Sequence, residues 1–177
     1  MLMSSNLPPT DSPVLDNSNL SDIAPIFNLI QLGSRHGQFS NLYTRPRYMA
    51  GLGIQLFSLW TSSRIRLPDG IWHQAHLKVL RVGNRFAGFV ILRWEVRQPN
   101  EVEIYMCGVE NDFRGTGLGE WMLRAALSAV PSRCSLFADC LPNSTPMKSL
   151  LNKLGFEELG LATSTTVPGF AQRFVRK

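Results

Sequence analysis

The chain has 177 residues, 44% of them hydrophobic, which is typical of one globular domain that buries a full core. Its formal net charge of +5 favours an anionic ligand or partner, although a basic balance alone is weak evidence for nucleic acid. The three cysteines include no C-x-x-C pair, which argues against a disulfide framework and a metal site. We interpret them as reduced thiols of a cytoplasmic protein: Cys107, Cys134 and Cys140.

The first twenty residues are polar and rich in Ser, Pro, Asn and Asp. We predict a flexible leader over residues 1–12 and a single domain over 13–177, in which Pro13-Val14-Leu15 supplies a first strand. The leader has neither a charged start nor a long apolar segment, so it does not resemble a signal peptide. No apolar run approaches the length of a transmembrane helix, and no membrane partner is predicted.

Two helical patterns come before the main strands. One begins at Ser21-Asp22, a typical helix start, and the other runs from about Tyr48 to Ser63, although Gly51 and Gly53 weaken it. The connection between them, residues 33–47, is polar and carries aromatic side chains. We interpret residues 63–74 as a loop with a Pro-Asp-Gly turn.

Alternating apolar residues then predict three antiparallel strands in succession, over residues 76–82, 85–96 and 102–109. A helix begins at Leu118, and a buried strand over 134–141 follows it. Because a helix separates this strand from the strand at 102–109, the two are expected to be parallel. A short helix over 145–154 and two strands, 156–162 and 170–175, complete the chain around a Val167-Pro168-Gly169 turn.

The glycine-rich turn at Arg114–Gly119 is the centre of the functional interpretation. It joins the strand at 102–109 to the N-terminus of the helix that begins at Leu118. Free backbone N–H groups and the positive end of the helix dipole therefore meet at the glycines, an arrangement that suits a phosphate group. The glycines let an anion approach the backbone, and Arg114 adds a full positive charge.

The spacing of the glycines discriminates among phosphate ligands. A P-loop requires a Gly-Lys pair, which the sequence lacks, and a dinucleotide fingerprint from Gly115 would need glycine in place of Glu120. The pattern R-x-x-G-x-G over Arg114–Gly119 instead resembles the pyrophosphate loop of the GNAT superfamily of N-acetyltransferases. The ending L-L-N-K-L-G-F at residues 150–156 is similar to a second motif of this family. A glycine-rich turn with a solvated arginine is the structural alternative.

The resemblance implies an α/β (α+β) fold of the GNAT type. In this fold a mixed, mostly antiparallel twisted sheet of six to seven strands is flanked by helices, with a parallel strand pair at the cofactor site. It also implies acetyl-CoA as cofactor. The residues that the resemblance assigns to the cofactor are Val109, Arg114, Gly115, Thr116, Gly117, Leu118, Gly119, Asn143 and Ser144. The usual asparagine is offset by one residue here: Ser144 aligns in register and Asn143 precedes it, so the two are alternatives for the contact with the pantetheine amides.

The sequence departs from the family pattern at the position of the usual proton donor. Many GNAT enzymes place a tyrosine before the K-L-G-F ending, where its hydroxyl protonates the departing thiolate. Here that residue is Leu151, which cannot donate a proton. We consider Ser149 as a replacement acid, beside backbone N–H groups and water.

A lysine-like amine with a pKa of about 10.4 must lose a proton before it attacks a thioester, and a carboxylate is the obvious helper. Glu103 lies eleven residues before Arg114, the offset at which related protein-lysine acetyltransferases carry their general base. The alternative is that Glu101 and Glu103 simply face solvent from the strand. Candidate contacts with the acceptor are His36, Tyr43, Arg45, Glu101 and Tyr105.

These observations predict an N-acetyltransferase that moves an acetyl group from acetyl-CoA to a primary amine of a small molecule, peptide or protein. Direct transfer in a ternary complex is preferred over an acetyl-cysteine route. A non-catalytic acyl-CoA sensor remains open, as does a toxin-like acetyltransferase of aminoacyl-tRNA. For the latter, an RNA partner could use Arg35, Arg45, Arg47, Arg64 and Arg66, although they form no compact basic run. The sequence leaves the oligomeric state open, and a dimer is one of the states considered.

Overall fold

The fold combines eight strands and four α-helices over the part of the chain that the structure, a computed structural model, describes: residues 12–162 and 171–177. The strands are β1 (Pro13–Asn17), β2 (Arg64–Arg66), β3 (Trp72–Val82), β4 (Arg85–Trp94), β5 (Glu101–Val109), β6 (Ser135–Cys140), β7 (Glu157–Leu161) and β8 (Gln172–Arg176). The helices are α1 (Ile23–Arg35), α2 (Pro46–Ser62), α3 (Leu118–Ser128) and α4 (Thr145–Lys153). Most of the predicted leader and the predicted turn at 167–169 lie outside the described residues.

The strands form one mixed sheet in the order β1-β3-β4-β5-β6-β8-β7, with β2 paired to the start of β3. Every described pairing is antiparallel except that of β5 with β6, where α3 provides the connection. A mixed, mostly antiparallel sheet with one parallel pair is the predicted architecture, and the structure confirms it.

Helices cover both faces of the sheet. On one face, α1 and α2 contribute Ile26, Ile30 and Leu56 to an apolar cluster. On the other face, α3 and α4 contribute Met122 and Leu151 to a second cluster. Because the central strands are buried on both sides, β4 is almost continuously apolar instead of alternating. None of the described helices is long and apolar enough to span a bilayer.

In the described part of the chain the sheet has one strand more than the predicted six or seven. The additional strand, β2, lies in the segment predicted as a loop, and it pairs with a β3 that begins four residues before the predicted start. With three residues and one buried side chain, Ile65, β2 is too short to show a period in the sequence. Similarly, α2 begins at Pro46, two residues early, because proline suits the first turn of a helix.

Candidate active site

A slot opens between β5 and β6. The two strands pair only where Glu101–Glu103 meets Ser135–Phe137, and beyond these residues the described ladder stops. The cavity there has a volume of about 520 Å³ and is lined by both strands, the loop before α3, α4 and the loop after α1. Backbone N–H and C=O groups along the unpaired parts of the two strands are therefore available to a ligand in the slot.

A β-bulge in β5 lies on the wall of this slot. The β4–β5 register pairs Ile91 with Met106 but Leu92 with Ile104, so Tyr105 is the extra residue without a partner in β4. A bulge disrupts the ladder locally and redirects the side chains that follow it. Consequently Ile104 belongs to the core under α3 and α4, whereas both Tyr105 and Met106 contact the core under α1 and α2.

The glycine turn forms one end of the slot, and its geometry suits an anion. Gly115 and Gly117 have φ values of 75° and 84°, in the left-handed region that favours glycine. Gly117 is the N-cap of α3 and no side chain caps the helix, so the N–H groups of Leu118 and Gly119 remain available at the positive end of the helix dipole.

Two hydrogen bonds hold this turn in place, one of them to the end of β5. Arg114 donates from Nε to the carbonyl oxygen of Val109 at 2.9 Å, and Thr116 donates from Oγ1 to the carbonyl oxygen of Phe113 at 2.6 Å. Val109, Arg114, Gly115 and Gly119 line the slot, whereas Thr116, Gly117 and Leu118 complete the same turn beside it. The structure thus brings the predicted loop residues together at one place.

The two residues offered as alternatives in the loop after β6 have different positions. Ser144 is buried, lines the slot, and donates from Oγ to the carbonyl oxygen of Gln38 at 3.0 Å. Asn143 is exposed and lies against Gly37, outside the slot lining. The hydrogen bond of Ser144 therefore joins the loop after β6 to the loop after α1 across the slot.

Glu103 is buried, with only 2% of its surface exposed, and it does not line the slot. Arg93 on β4 donates from Nε to its Oε2 at 2.6 Å. The same guanidinium donates to Glu95 at 3.1 Å and lies 3.0 Å from Nδ1 of the buried His73. Burial raises the pKa of Glu103, and the positive charge of Arg93 opposes this increase. The alternative that Glu103 faces solvent is therefore wrong, since its carboxylate is buried against the Arg93 guanidinium.

Of the five predicted acceptor contacts, only Tyr43 and Tyr105 line the slot. Burial raises the pKa of both phenols, so both are neutral at physiological pH. The other three lie outside the slot lining. His36 is exposed at the end of α1, with Nδ1 2.9 Å from the carbonyl oxygen of Leu32, Arg45 is exposed, and Glu101 is half-buried at the start of β5.

The candidate acid Ser149 is exposed on α4 and lies outside the slot lining. Its neighbour Leu151, at the position of the usual tyrosine, is fully buried in the core under α3 and α4. The part of α4 that reaches the slot consists of Pro146, Met147 and Leu150. This wall is thus apolar, and it donates no proton.

Two of the three cysteines line the slot. Burial raises the pKa of both Cys107 and Cys140 to about 12, so both are protonated thiols at neutral pH. A protonated, buried thiol is a poor nucleophile. Cys107 contacts Met147, with 3.5 Å between the two sulfur atoms, so it packs as a small apolar side chain.

Several lining residues were missed by the sequence analysis: Gln38, Phe39, Ser40 and Asp139. Asp139 has a side chain that is 1% exposed and accepts from Nε and Nη2 of Arg173, each at 2.8 Å. A single charged residue inside the apolar run S-L-F-A-D-C was the signal that could have identified it, because a buried charge requires a partner.

Comparison with known proteins agrees with this geometry. The model of the Acetyltransferase (GNAT) family matches residues 38–156, more than half of the chain. No curated sequence is significantly similar to the chain. An acetyltransferase from Thermus thermophilus is similar in structure, with a TM-score of 0.66 and 14% identity over 93% of this chain and 96% of that one.

Two further similar structures contain coenzyme A. One is RimL, a ribosomal L7/L12 α-N-protein acetyltransferase in complex with coenzyme A, with a TM-score of 0.66, 12% identity and 96% of each chain covered. The other is AAC(6')-Ib in complex with ribostamycin and coenzyme A, with a TM-score of 0.69, 16% identity and 94% of each chain covered. At these identities the structural similarity shows a common fold. The match to the family model shows in addition that this chain belongs to the GNAT acetyltransferase family.

Proposed function

We propose that the chain transfers the acetyl group of acetyl-CoA to a primary amine, by direct transfer in a ternary complex. The observation that most supports this proposal is the slot between β5 and β6, which has the uncapped N-terminus of α3 at one end. A pyrophosphate suits the N–H groups of the glycine turn beside Arg114. Bound acetyl-CoA would supply the activated thioester, a chemistry that the side chains themselves lack.

The rest of the slot lining suits a pantetheine chain. The unpaired backbone edges of β5 and β6 suit its amide groups, in the manner of a strand added to a sheet. The hydroxyl oxygen of Ser144 can accept a further hydrogen bond while its hydrogen is donated to Gln38. Met147 and Leu150 supply an apolar wall for the methylene groups.

The state of the slot residues favours direct transfer over a covalent acyl-cysteine route. An acyl-cysteine requires a thiolate nucleophile, and burial keeps Cys107 and Cys140 protonated. A general-base role of Glu103 stays a prediction. In such a role Glu103 would have to accept a proton while its carboxylate is paired with Arg93. The phenols of Tyr43 and Tyr105 are neutral hydroxyl donors in the slot lining, and we assign them to orienting the acceptor.

The three free cysteines fit a reducing compartment such as the cytoplasm, where we place the reaction. The acyl-CoA sensor is the rival from another class, and Leu151, buried at the usual position of the acid, is the observation that favours it. The arginines that could contact RNA are exposed, but they are distributed over the end of α1, the start of α2 and β2.

Two measurements on one preparation test the proposal. Acetyl-CoA should raise the melting temperature, as a ligand selective for the native state does. Release of the coenzyme A thiol, followed across a panel of amines with mass spectrometry of the products, should exceed the rate without enzyme. A melting-temperature shift without thiol release for any amine would favour the sensor, and the absence of both effects would contradict the cofactor as well.

A further inference from the structure

The carboxylates at and beside the slot are all engaged by arginines. Asp139 is the one acidic residue of the slot lining in the described part of the chain, and Arg173 binds both of its oxygens at 2.8 Å. Behind the β5 wall, Glu103 is held by Arg93 at 2.6 Å, and Glu95 accepts from the same guanidinium. Each of these carboxylates is therefore already paired with an arginine, and none is an unengaged base for a cationic acceptor in the slot.

This arrangement sets a requirement on the acceptor amine, because only the unprotonated form attacks a thioester. At pH 7.5 about 30% of a peptide α-amine, with a pKa of 7.7–8.0, is unprotonated, against about 0.1% of a lysine amine with a pKa of 10.4. When no carboxylate removes the proton, the rate is proportional to the unprotonated fraction of the amine. The α-amine then reacts about 200-fold faster than the lysine amine on this ground alone.

The lining opposite the β6 wall indicates what surrounds the amine. It consists of uncharged side chains from α1, the loop that follows it, and the bulged part of β5: Leu29, Gln38, Phe39, Ser40, Tyr43 and Tyr105. The amide of Gln38 and the hydroxyls of Ser40, Tyr43 and Tyr105 suit the polar backbone of a peptide. The aromatic rings suit an apolar first side chain.

The connection that carries Phe39 and Tyr43 of this lining has a cationic side chain at each end. Arg35 and Arg45 are exposed at the two ends of the connection between α1 and α2, which carries Phe39 and Tyr43, and the chain as a whole has a net charge of +5. A polycationic acceptor would meet like charges here and no unengaged carboxylate in the described slot lining. An acceptor with one amine and an uncharged body avoids this repulsion.

We propose that the acceptor is the N-terminal α-amino group of a peptide with an uncharged, apolar first residue, and not a lysine side chain or a polyamine. This proposal depends on the acetyl transfer proposed above. The neutral α-amine forms the new C–N bond, the thioester C–S bond breaks with its electron pair going to sulfur, and water takes the proton that nitrogen loses. The preference follows from the missing base, so it should weaken as the pH increases.

Two isomeric peptides test the proposal. Both have the sequence Phe-Gly-Lys-Gly amide with one acetyl group, which blocks the lysine in one isomer and the N-terminus in the other. We expect kcat/KM at pH 7.5 to be on the order of 100-fold higher for the free α-amine, and the ratio to fall to about 3- to 4-fold near pH 10. Spermidine, as a polyamine probe, should react more slowly than the α-amine isomer at pH 7.5.

The outcomes separate this inference from the function on which it depends. Equal or faster acetylation of the lysine isomer at pH 7.5 would overturn the inference. So would a ratio that stays constant with pH, because recognition and not protonation would then set the preference. Acetylation of neither isomer, with turnover of another amine, would overturn the inference and leave the acetyltransferase standing. Failure to release thiol with any amine would overturn both.

Discussion

Arg93 on β4 and Glu103 on β5 are direct partners in the antiparallel register, and the Nε of Arg93 donates to Oε2 of Glu103 over 2.6 Å. Both side chains are at most 5% exposed. A buried ion pair adds little net stability compared with apolar residues, but removal of one partner leaves an uncompensated charge. The pair therefore has consequences for folding, and it engages the carboxylate that the sequence offers as a general base.

We expect Glu103→Gln to lower the free energy of unfolding by about 3 kcal/mol, the lower end of the usual cost of breaking a buried ion pair. Urea denaturation measures this loss. Glu101→Gln is the matched control, since Glu101 is half-buried on the same strand and should change stability by no more than about 0.5 kcal/mol. Equal stability of the two variants would contradict the ion pair.

The kinetics of the same variant separate two roles of Glu103. If Glu103 is the general base, Glu103→Gln lowers the rate at neutral pH by roughly 10²- to 10⁴-fold, and the rate recovers at high pH. If the acceptor is an α-amine that deprotonates by itself, the rate per folded molecule stays close to that of the parent at every pH. We expect the second result with the peptide described above, measured as a pH–rate series below the unfolding transition.

Two substitutions at Gly117 separate charge from backbone strain at the anion site. No heavy atom lies within 4 Å of a Cβ built on Gly117, but its φ of 84° is unfavourable for other residues. Gly117→Ala should therefore cost about 1 to 2 kcal/mol of stability and retain the acetyl-CoA shift in melting temperature. Gly117→Asp adds a negative charge and should abolish the shift. A folded Gly117→Asp protein with the full shift would refute the cofactor assignment.

The pair Asn143 and Ser144 gives a test of the far side of the slot. Ser144→Ala removes the hydrogen bond to Gln38 and a lining hydroxyl, so we expect a several-fold increase in the Kd of coenzyme A by titration calorimetry. The stability cost should be about 1 kcal/mol. Asn143→Ala, at the exposed neighbour, should leave the Kd unchanged. A larger increase in Kd for Asn143→Ala than for Ser144→Ala would instead assign the pantetheine contact to Asn143.

The raised pKa of Cys107 and Cys140 predicts that neither thiol carries an acetyl group. Their pKa of about 12 lies well above the usual value of a thiol, so the thiolate fraction at neutral pH falls and increases only in strong alkali. Intact-mass measurement after incubation with acetyl-CoA alone should show no acetyl adduct. Cys107→Ala and Cys140→Ala should retain turnover. Loss of turnover in one of them, together with an adduct in the parent, would favour the acyl-enzyme route.

The glycine turn could be predicted from the sequence because its geometry is local. Within six residues, Arg114–Gly119 specifies two left-handed glycines, a helix start without a side-chain cap, and one charge. The order of the strands around it and the parallel pair followed from apolar periods and from the intervening helix. The short β2 did not, because three residues with one buried side chain display no period.

What Glu103 contacts was decided by the tertiary structure. Its partner Arg93 lies on another strand, and the pair is buried only once the strands have assembled. The bulge at Tyr105 likewise results from the register with β4, and Asp139 meets Arg173 across 34 residues. The sequence by itself therefore determined the conformation of the glycine turn that we propose as the anion site, since backbone conformation is a local property. Which carboxylates are engaged, and which amine can react, depends on pairing and burial, and these arise only when distant segments pack together.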